Sequence, residues 1–199
     1  MPGVRVTTNF FLVLTLVANG AVAGLLLLAL GAIVVRPARA ALRTVVSAVG
    51  PSALLLAWIV AVVTTLGSLY YSEHAGFAPC TLCWYQRIVM YPLVVVLGVA
   101  WLRRDRAGWL TAAPLVVIGV PLSLYHWLVE RVPSLAEGTS CSLDAPCSAP
   151  WFEKLGYVTL AWMCMSSFLL IGALLACSAA SSPVSAAARD DDALTTVSR

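Results

Sequence analysis

The sequence predicts an all-α, polytopic membrane protein, on three observations. Hydrophobic residues make up 61% of the 199 residues and charged ones only 11%, more apolar surface than a soluble core can use. Five apolar segments approach or exceed the roughly 20 residues needed to cross about 30 Å of hydrocarbon as a helix. Strict alternation of apolar and polar residues is missing, which argues against a membrane β-barrel.

The first segment, residues 10–35, resembles a secretory signal in one respect: Ala38-Arg39-Ala40 has the small-residue look of a cleavage site. Its apolar stretch is too long for a signal peptide, and three arginines surround the candidate cleavage point, so a retained helix is expected. The break at 36–51 carries Arg36, Arg39 and Arg43 and reads as a basic loop. The second segment is 52–71, followed by a polar break at 72–83 with Glu73 and His74. The third, 84–102, begins at Trp84, an aromatic interface anchor, and ends at a break holding Arg103, Arg104 and Arg106. The fourth is 109–128; Pro92 and Pro121 need only be kinks in packed membrane helices. A break at 129–154 with Glu130, Glu137, Asp144 and Glu153 leads to the last segment, 155–177. From Ser178 the chain is rich in Ala, Ser and Asp, including Asp190-Asp191-Asp192, and is expected to be a disordered cytoplasmic tail.

Orientation follows from the arginines. The breaks at 36–51 and 103–108 should be cytoplasmic by the positive-inside rule, and those at 72–83 and 129–154 should face outward. Five spans then put the amino terminus outside and the carboxyl terminus inside. A net charge of +3, with dispersed arginines and a single lysine, Lys154, beside acidic residues, gives no footing for nucleic-acid binding.

Four cysteines occupy the two outward breaks, where disulfides persist. In Cys80-Thr81-Leu82-Cys83 the spacing allows a small disulfide if one cysteine precedes a helix and the other lies in its first turn. Unpaired N–H groups at that helix start stabilise a thiolate. Pro79 helps set the approach of the chain. Arg87, four residues after Cys83, falls on the same helical face one turn deeper. A cation there costs free energy to bury, which favours a role in holding an acceptor's carbonyl oxygen over snorkelling to the headgroups. Cys141 and Cys147 close too small a ring to be an effective staple, and exposed or strained disulfides are the labile ones. Structural disulfides, or zinc bound by cysteines from both loops, are the alternatives to redox chemistry. Cys164 and Cys177 sit in the last span without a partner at disulfide spacing and read as small hydrophobes. His126 ends the fourth span and by itself suggests no more than a polar anchor.

The run Pro79-Cys80-Thr81-Leu82-Cys83-Trp84-Tyr85-Gln86-Arg87-Ile88-Val89-Met90-Tyr91-Pro92 resembles the DsbB/BdbC family of disulfide bond formation proteins. Gly67-Ser68-Leu69-Tyr70-Tyr71-Ser72-Glu73, Tyr125-His126-Trp127-Leu128, Pro146-Cys147-Ser148 and the run from Trp151 to Thr159 extend the likeness over about residues 52–175. The resemblance implies a four-helix membrane bundle at 52–177, with residues 1–51 an additional helix and its basic loop. It also implies a bacterial cell-membrane enzyme that reoxidises a DsbA-like thioredoxin-fold partner and passes electrons to the membrane quinone pool, menaquinone or ubiquinone. By the same resemblance, the partner would attack Cys141, and Cys147 would then attack Cys80. Cys83 would become the thiolate that reduces the quinone, beside Arg87 and His126, with no metal. Relatives often carry a proline where Ala161 stands, which blurs the start of the last helix. An enzyme of vitamin K epoxide reductase type is the nearest alternative, but there the loop pair usually precedes the Cys-x-x-Cys pair.

Overall fold

The computed structural model describes residues 2–105, 107–132, 134–135, 141 and 146–181. Arg106, Glu137, Asp144 and the tail from residue 182 lie outside them. Among the described residues the long helices follow in order: α1 (Pro2–Val34), α2 (Arg36–Val49), α3 (Ala53–Leu69), α4 (Thr81–Leu102), α5 (Trp109–Val129) and α6 (Leu160–Ser181). Five helical stretches are long and apolar enough to cross a membrane, among them α1, α4, α5 and α6; α3 does so within a stretch continuous with α2.

Helices α3, α4, α5 and α6 pack as a closed ring, each against its two neighbours, and α1 lies outside it against α6. Lipid is as apolar as the core, so close packing rather than water exclusion must hold such helices together, and small residues permit it. Ala57 and Ala61, one turn apart on α3, are fully buried beside Leu93, Leu97 and Ile171. Gly119 on α5 accepts the face of Phe168 from α6 so closely that a Cβ at that position would strike the ring. Gly98 receives the Trp58 indole in the same way, with 2.8 Å from a notional Cβ to Nε1.

The ends of the bundle differ in charge. Tyr71 donates from its hydroxyl to Thr8 Oγ1 at 3.2 Å, which brings the start of α1 to the end that carries Cys80. Gly50 meets Ser181 at the opposite end, near Arg104 and Asp105.

Three expectations need correction. The break at 36–51 is not a loop but helix α2. Pro37 suits the first turn of a helix, and Ala38, Leu42, Val45, Val46 and Val49 form a half-buried stripe on one face, the pattern of an amphipathic helix. Arg39 donates to the carbonyls of Ala32 and Ile33, satisfying the open end of α1. The last span begins at Leu160 rather than 155. Lys154 and Val158 exchange backbone hydrogen bonds around Leu155 and Gly156, both at positive φ, and this tight turn delays the helix. Finally, Ser178–Ser181, assigned to the disordered tail, continue α6.

Candidate active site

Past α3 the chain passes through a single π-helical turn at Tyr70–His74, turns at Gly76 (φ +71°) and runs without regular structure to Cys80, whose own backbone is extended. Cys80 is the residue that caps α4: its Sγ accepts from the Cys83 N–H at 3.2 Å, the place where Ser or Asp usually stands. Cys83 follows one turn into the helix, with the two Sγ atoms 2.7 Å apart. His126 from α5 closes the other side, its Nε2 3.5 Å from Cys80 Sγ and its Nδ1 3.2 Å from Oε1 of the buried Gln86. An amide oxygen only accepts, so Nδ1 donates to Gln86, and Nε2 faces the Cys80 sulfur, where a proton shared between the two favours the thiolate.

These contacts set the Cys80 thiol. Its pKa is lowered from 9.0 to about 4, chiefly by the hydrogen bond from Cys83, against the opposing effect of burial and with further help from His126. Two sulfurs competing for one proton leave the negative charge on Cys80, at the amino terminus of a helix. One turn beyond His126, burial pushes the Glu130 carboxyl up, partly offset by a 2.6 Å hydrogen bond from Thr159 Oγ1. That bond joins the end of α5 to the start of α6 and steadies the helix end that carries His126.

The four cysteines meet here. Cys141 and Cys147 form a disulfide with Cα atoms 5.9 Å apart. Cys147 is buried in one apolar cluster with Cys80, Leu82 and Val129, against which Cys83 and Cys141 also pack. The loop is brought in by aromatic stacking: Trp151 lies parallel to Phe77 with centroids 4.8 Å apart, and Phe77 stacks in turn on Tyr71.

Cys83, unlike Cys80, also faces a cavity. This cavity of about 320 Å³ lies between α1, α3, α4 and α6, and its wall includes Gln86, Arg87 and Tyr91 and is otherwise mostly apolar. Arg87 shares this wall with Cys83. Its guanidinium donates to Ser68 Oγ (3.0 Å) and Ser68 O (2.9 Å) on α3 and lies 5.2 Å from the centroid of Trp84, so it is held rather than trailing into the headgroups. His126 is placed behind the pair, against Cys80, and not in the cavity wall. Cys164 lines the cavity as an apolar residue, while Cys177 is buried toward the far end of α6. In the sequence Gln86 stands out only as part of a motif. An uncharged amide inside a membrane span, one turn after Cys83, was the available signal. The ligand atoms of Cys80, Cys83 and His126 lie within 4.8 Å of one another, a set that a zinc ion would fit with one position open.

A family model for "Disulfide bond formation protein DsbB" matches residues 50–177. The chain belongs to the DsbB family. It is 40% identical over 118 residues to disulfide bond formation protein C of Bacillus subtilis, covering 59% of this chain and 86% of that one. It is 41% identical over 119 residues (59% and 82%) to a probable disulfide formation protein of Oceanobacillus iheyensis. A Coxiella burnetii protein of the same description is 40% identical over 123 residues (61% and 84%). No solved structure matches significantly. As a DsbB-family member with membrane-length helices, the protein is a disulfide-forming oxidoreductase of the membrane. Helix α1 lies wholly outside the family match.

Proposed function

We propose that this DsbB-family protein is a thiol:quinone oxidoreductase. It reoxidises a DsbA-like thioredoxin-fold protein outside the cytoplasm and delivers the electrons to menaquinone or ubiquinone in a bacterial cell membrane. The carrying observation is the division of labour between adjacent sulfurs: Cys80 packs in the cluster of Cys147, while Cys83 lines the cavity. The far end carries Arg36, Arg39, Arg43, Arg103 and Arg104, whereas Arg5, Arg131 and Lys154 at the cysteine end are balanced by Glu73, Glu130 and Glu153, a bias that supports an extracytoplasmic site.

The cavity suits a quinone. Gln86 Nε2 and Tyr91 OH are buried without a hydrogen-bond partner among the described residues, and both belong to its wall. Buried donors in that condition want acceptors, and a quinone offers two carbonyl oxygens on an apolar ring. Arg87, anchored by Ser68, adds a cation where negative charge would develop. A bound quinone would take up two electrons and two protons to become the quinol.

In the proposed cycle the partner's thiolate attacks Cys141 Sγ, breaking the Cys141–Cys147 bond and releasing Cys147 as a thiolate. The partner's second thiol then displaces Cys141 and leaves with its own disulfide. Cys147 attacks Cys80 of a Cys80–Cys83 disulfide and frees the Cys83 thiolate beside the cavity. Cys141 next attacks Cys147, restoring the loop disulfide and releasing Cys80, which His126 Nε2 and the helix start hold as a thiolate. Cys80 and Cys83 close their disulfide again as their electron pair leaves toward the cavity. One dithiol is thereby oxidised for each quinol formed.

The test is quinol formation by the purified protein with a reduced thioredoxin-fold partner. Cys83→Ser should reduce it to background while disulfide exchange at Cys141–Cys147 continues. Normal quinone reduction by that variant would overturn the assignment, and zinc retained stoichiometrically by purified protein with inert cysteines would favour a structural site.

A further inference from the structure

We infer that α1, which the family match does not include, forms part of the quinone site by walling the subsite for the prenyl tail. The inference rests on reading the cavity as the quinone site.

Its starting point is where α1 is buried. Thr8, Thr15 and Ala18 are its buried residues, and with Phe11 they recur at helical spacing on one face of its first half. Beyond them, Leu27, Leu30 and Ile33 are 62–70% exposed, as lipid-facing residues would be. The buried face is docked at two points. The Phe11 ring lies over Gly67 of α3, where a Cβ would come within 2.6 Å of it, so the missing side chain lets the two helices approach. Thr8 accepts from Tyr71, itself part of the cavity wall. Thr15 spends its hydroxyl on the Phe11 carbonyl at 2.8 Å and so turns no unsatisfied polar group toward the cavity.

The cavity is most polar at one end; deeper in its wall the hydroxyls of Thr64, Ser166 and Ser167 are spent within the protein, on Ser167, the Trp162 carbonyl and the Met163 carbonyl respectively, which leaves the rest of the lining apolar. Ser68, Ser72, Cys83, Gln86 and Arg87 cluster at the cysteine end. From Ser68 to Ile59 the wall descends about 14 Å along α3, by the rise of a helix. Along this descent α1 contributes the buried Ala18, with Leu14 and the mostly exposed Val17 (64%) at the rim toward lipid, and α3 contributes Val60 and Val63 to the same wall. A molecule with a polar ring and a hydrocarbon tail has this shape, with the ring at Cys83 and the tail against α1. Without α1, the same groove between α3 and α6 would open sideways to lipid. The extra helix therefore selects for tail length and restricts lateral exchange of quinone.

Two measurements test this. Ala18→Trp should raise the KM for a long-tailed quinone about tenfold or more, the effect of overfilling a packed site. The KM for a tail-less quinone should hold, and so should thiol exchange at Cys141–Cys147. Unchanged KM for both quinones would overturn the inference. In case that variant folds poorly, a photoreactive prenyl quinone is applied to the unaltered protein and the labelled peptides are mapped by mass spectrometry. Labels on residues 11–18 support the inference. Labels confined to α3, α4 and α6 overturn it but leave the quinone reading intact, and labels outside the cavity overturn both. A mature protein whose intact mass excludes α1 would likewise overturn it.

Discussion

The two cysteine pairs share one apolar cluster, yet they are held in opposite ways. Cys80 and Cys83 are built into the first turn of α4 and surrounded by groups from α5, so their spacing and charge are set by rigid elements. Cys141 and Cys147 belong to the connection between α5 and α6, tied down by the Trp151–Phe77 stack and an exposed Arg131–Glu153 ion pair at 3.4 Å. The difference suits two tasks. A pair that tunes electron transfer gains from fixed geometry, whereas a pair that must meet a large partner gains from a connecting segment that leaves Cys141 half-buried while Cys147 is covered.

Loss of Cys83 is the sharpest break in this comparison. Next in size, Arg87→Ala should lower quinone-dependent turnover roughly ten- to hundredfold, the worth of a charged hydrogen bond, without altering the disulfides. Steady-state quinol formation, with thiol trapping of all four cysteines, checks both halves; an equal loss of thiol exchange would place Arg87 in the scaffold instead.

His126→Ala tests the fixed pair alone. With the Cys80 pKa depressed from 9.0 to about 4, the thiolate contributes its full stabilisation of the reduced protein above pH 9.0 and loses it as pH falls through about 4. Alkylation of Cys80 in the reduced protein should therefore stay fast from neutral pH down to about 4. In the variant its midpoint should move upward, though not fully to 9.0, because the larger contribution comes from Cys83. Stabilising the reduced form also makes a disulfide more oxidising, so the variant pair should be the weaker oxidant. An unmoved alkylation profile would remove His126 from the site.

Trp151→Ala should have the smallest effect, on the loop pair. Losing one stacked ring pair, worth about 0.5–1.5 kcal/mol, should slow transfer between the cysteine pairs a few-fold. Rapid-quench trapping of the Cys147–Cys80 disulfide reports this step. A comparable loss in the dithiol exchange at Cys141 would mean that the stack serves partner docking instead.

Much of this was legible in the chain because membrane helices follow from local composition. The apolar runs and the arginine asymmetry were sufficient for the spans, and the spacing of Cys80, Cys83 and Arg87 followed from the helical repeat alone. Local reading failed where a segment's state depended on what covered it. Residues 36–49 are charged enough to pass for a loop, and become a helix that half-buries one stripe. Residues 155–159 are apolar enough to pass for membrane, and are turned aside by two left-handed residues.

The sequence by itself determined an all-helical membrane chain with two cysteine pairs and a cation one turn below the first. Only the tertiary structure decided which sulfur faces which neighbour. Neither the packing of Cys80 with Cys147, nor the His126–Gln86 contact, nor α1 in the cavity wall has a signature in residue spacing, since each joins elements far apart in the chain. Their physical basis is side-chain packing between helices, which exists only after the bundle has closed.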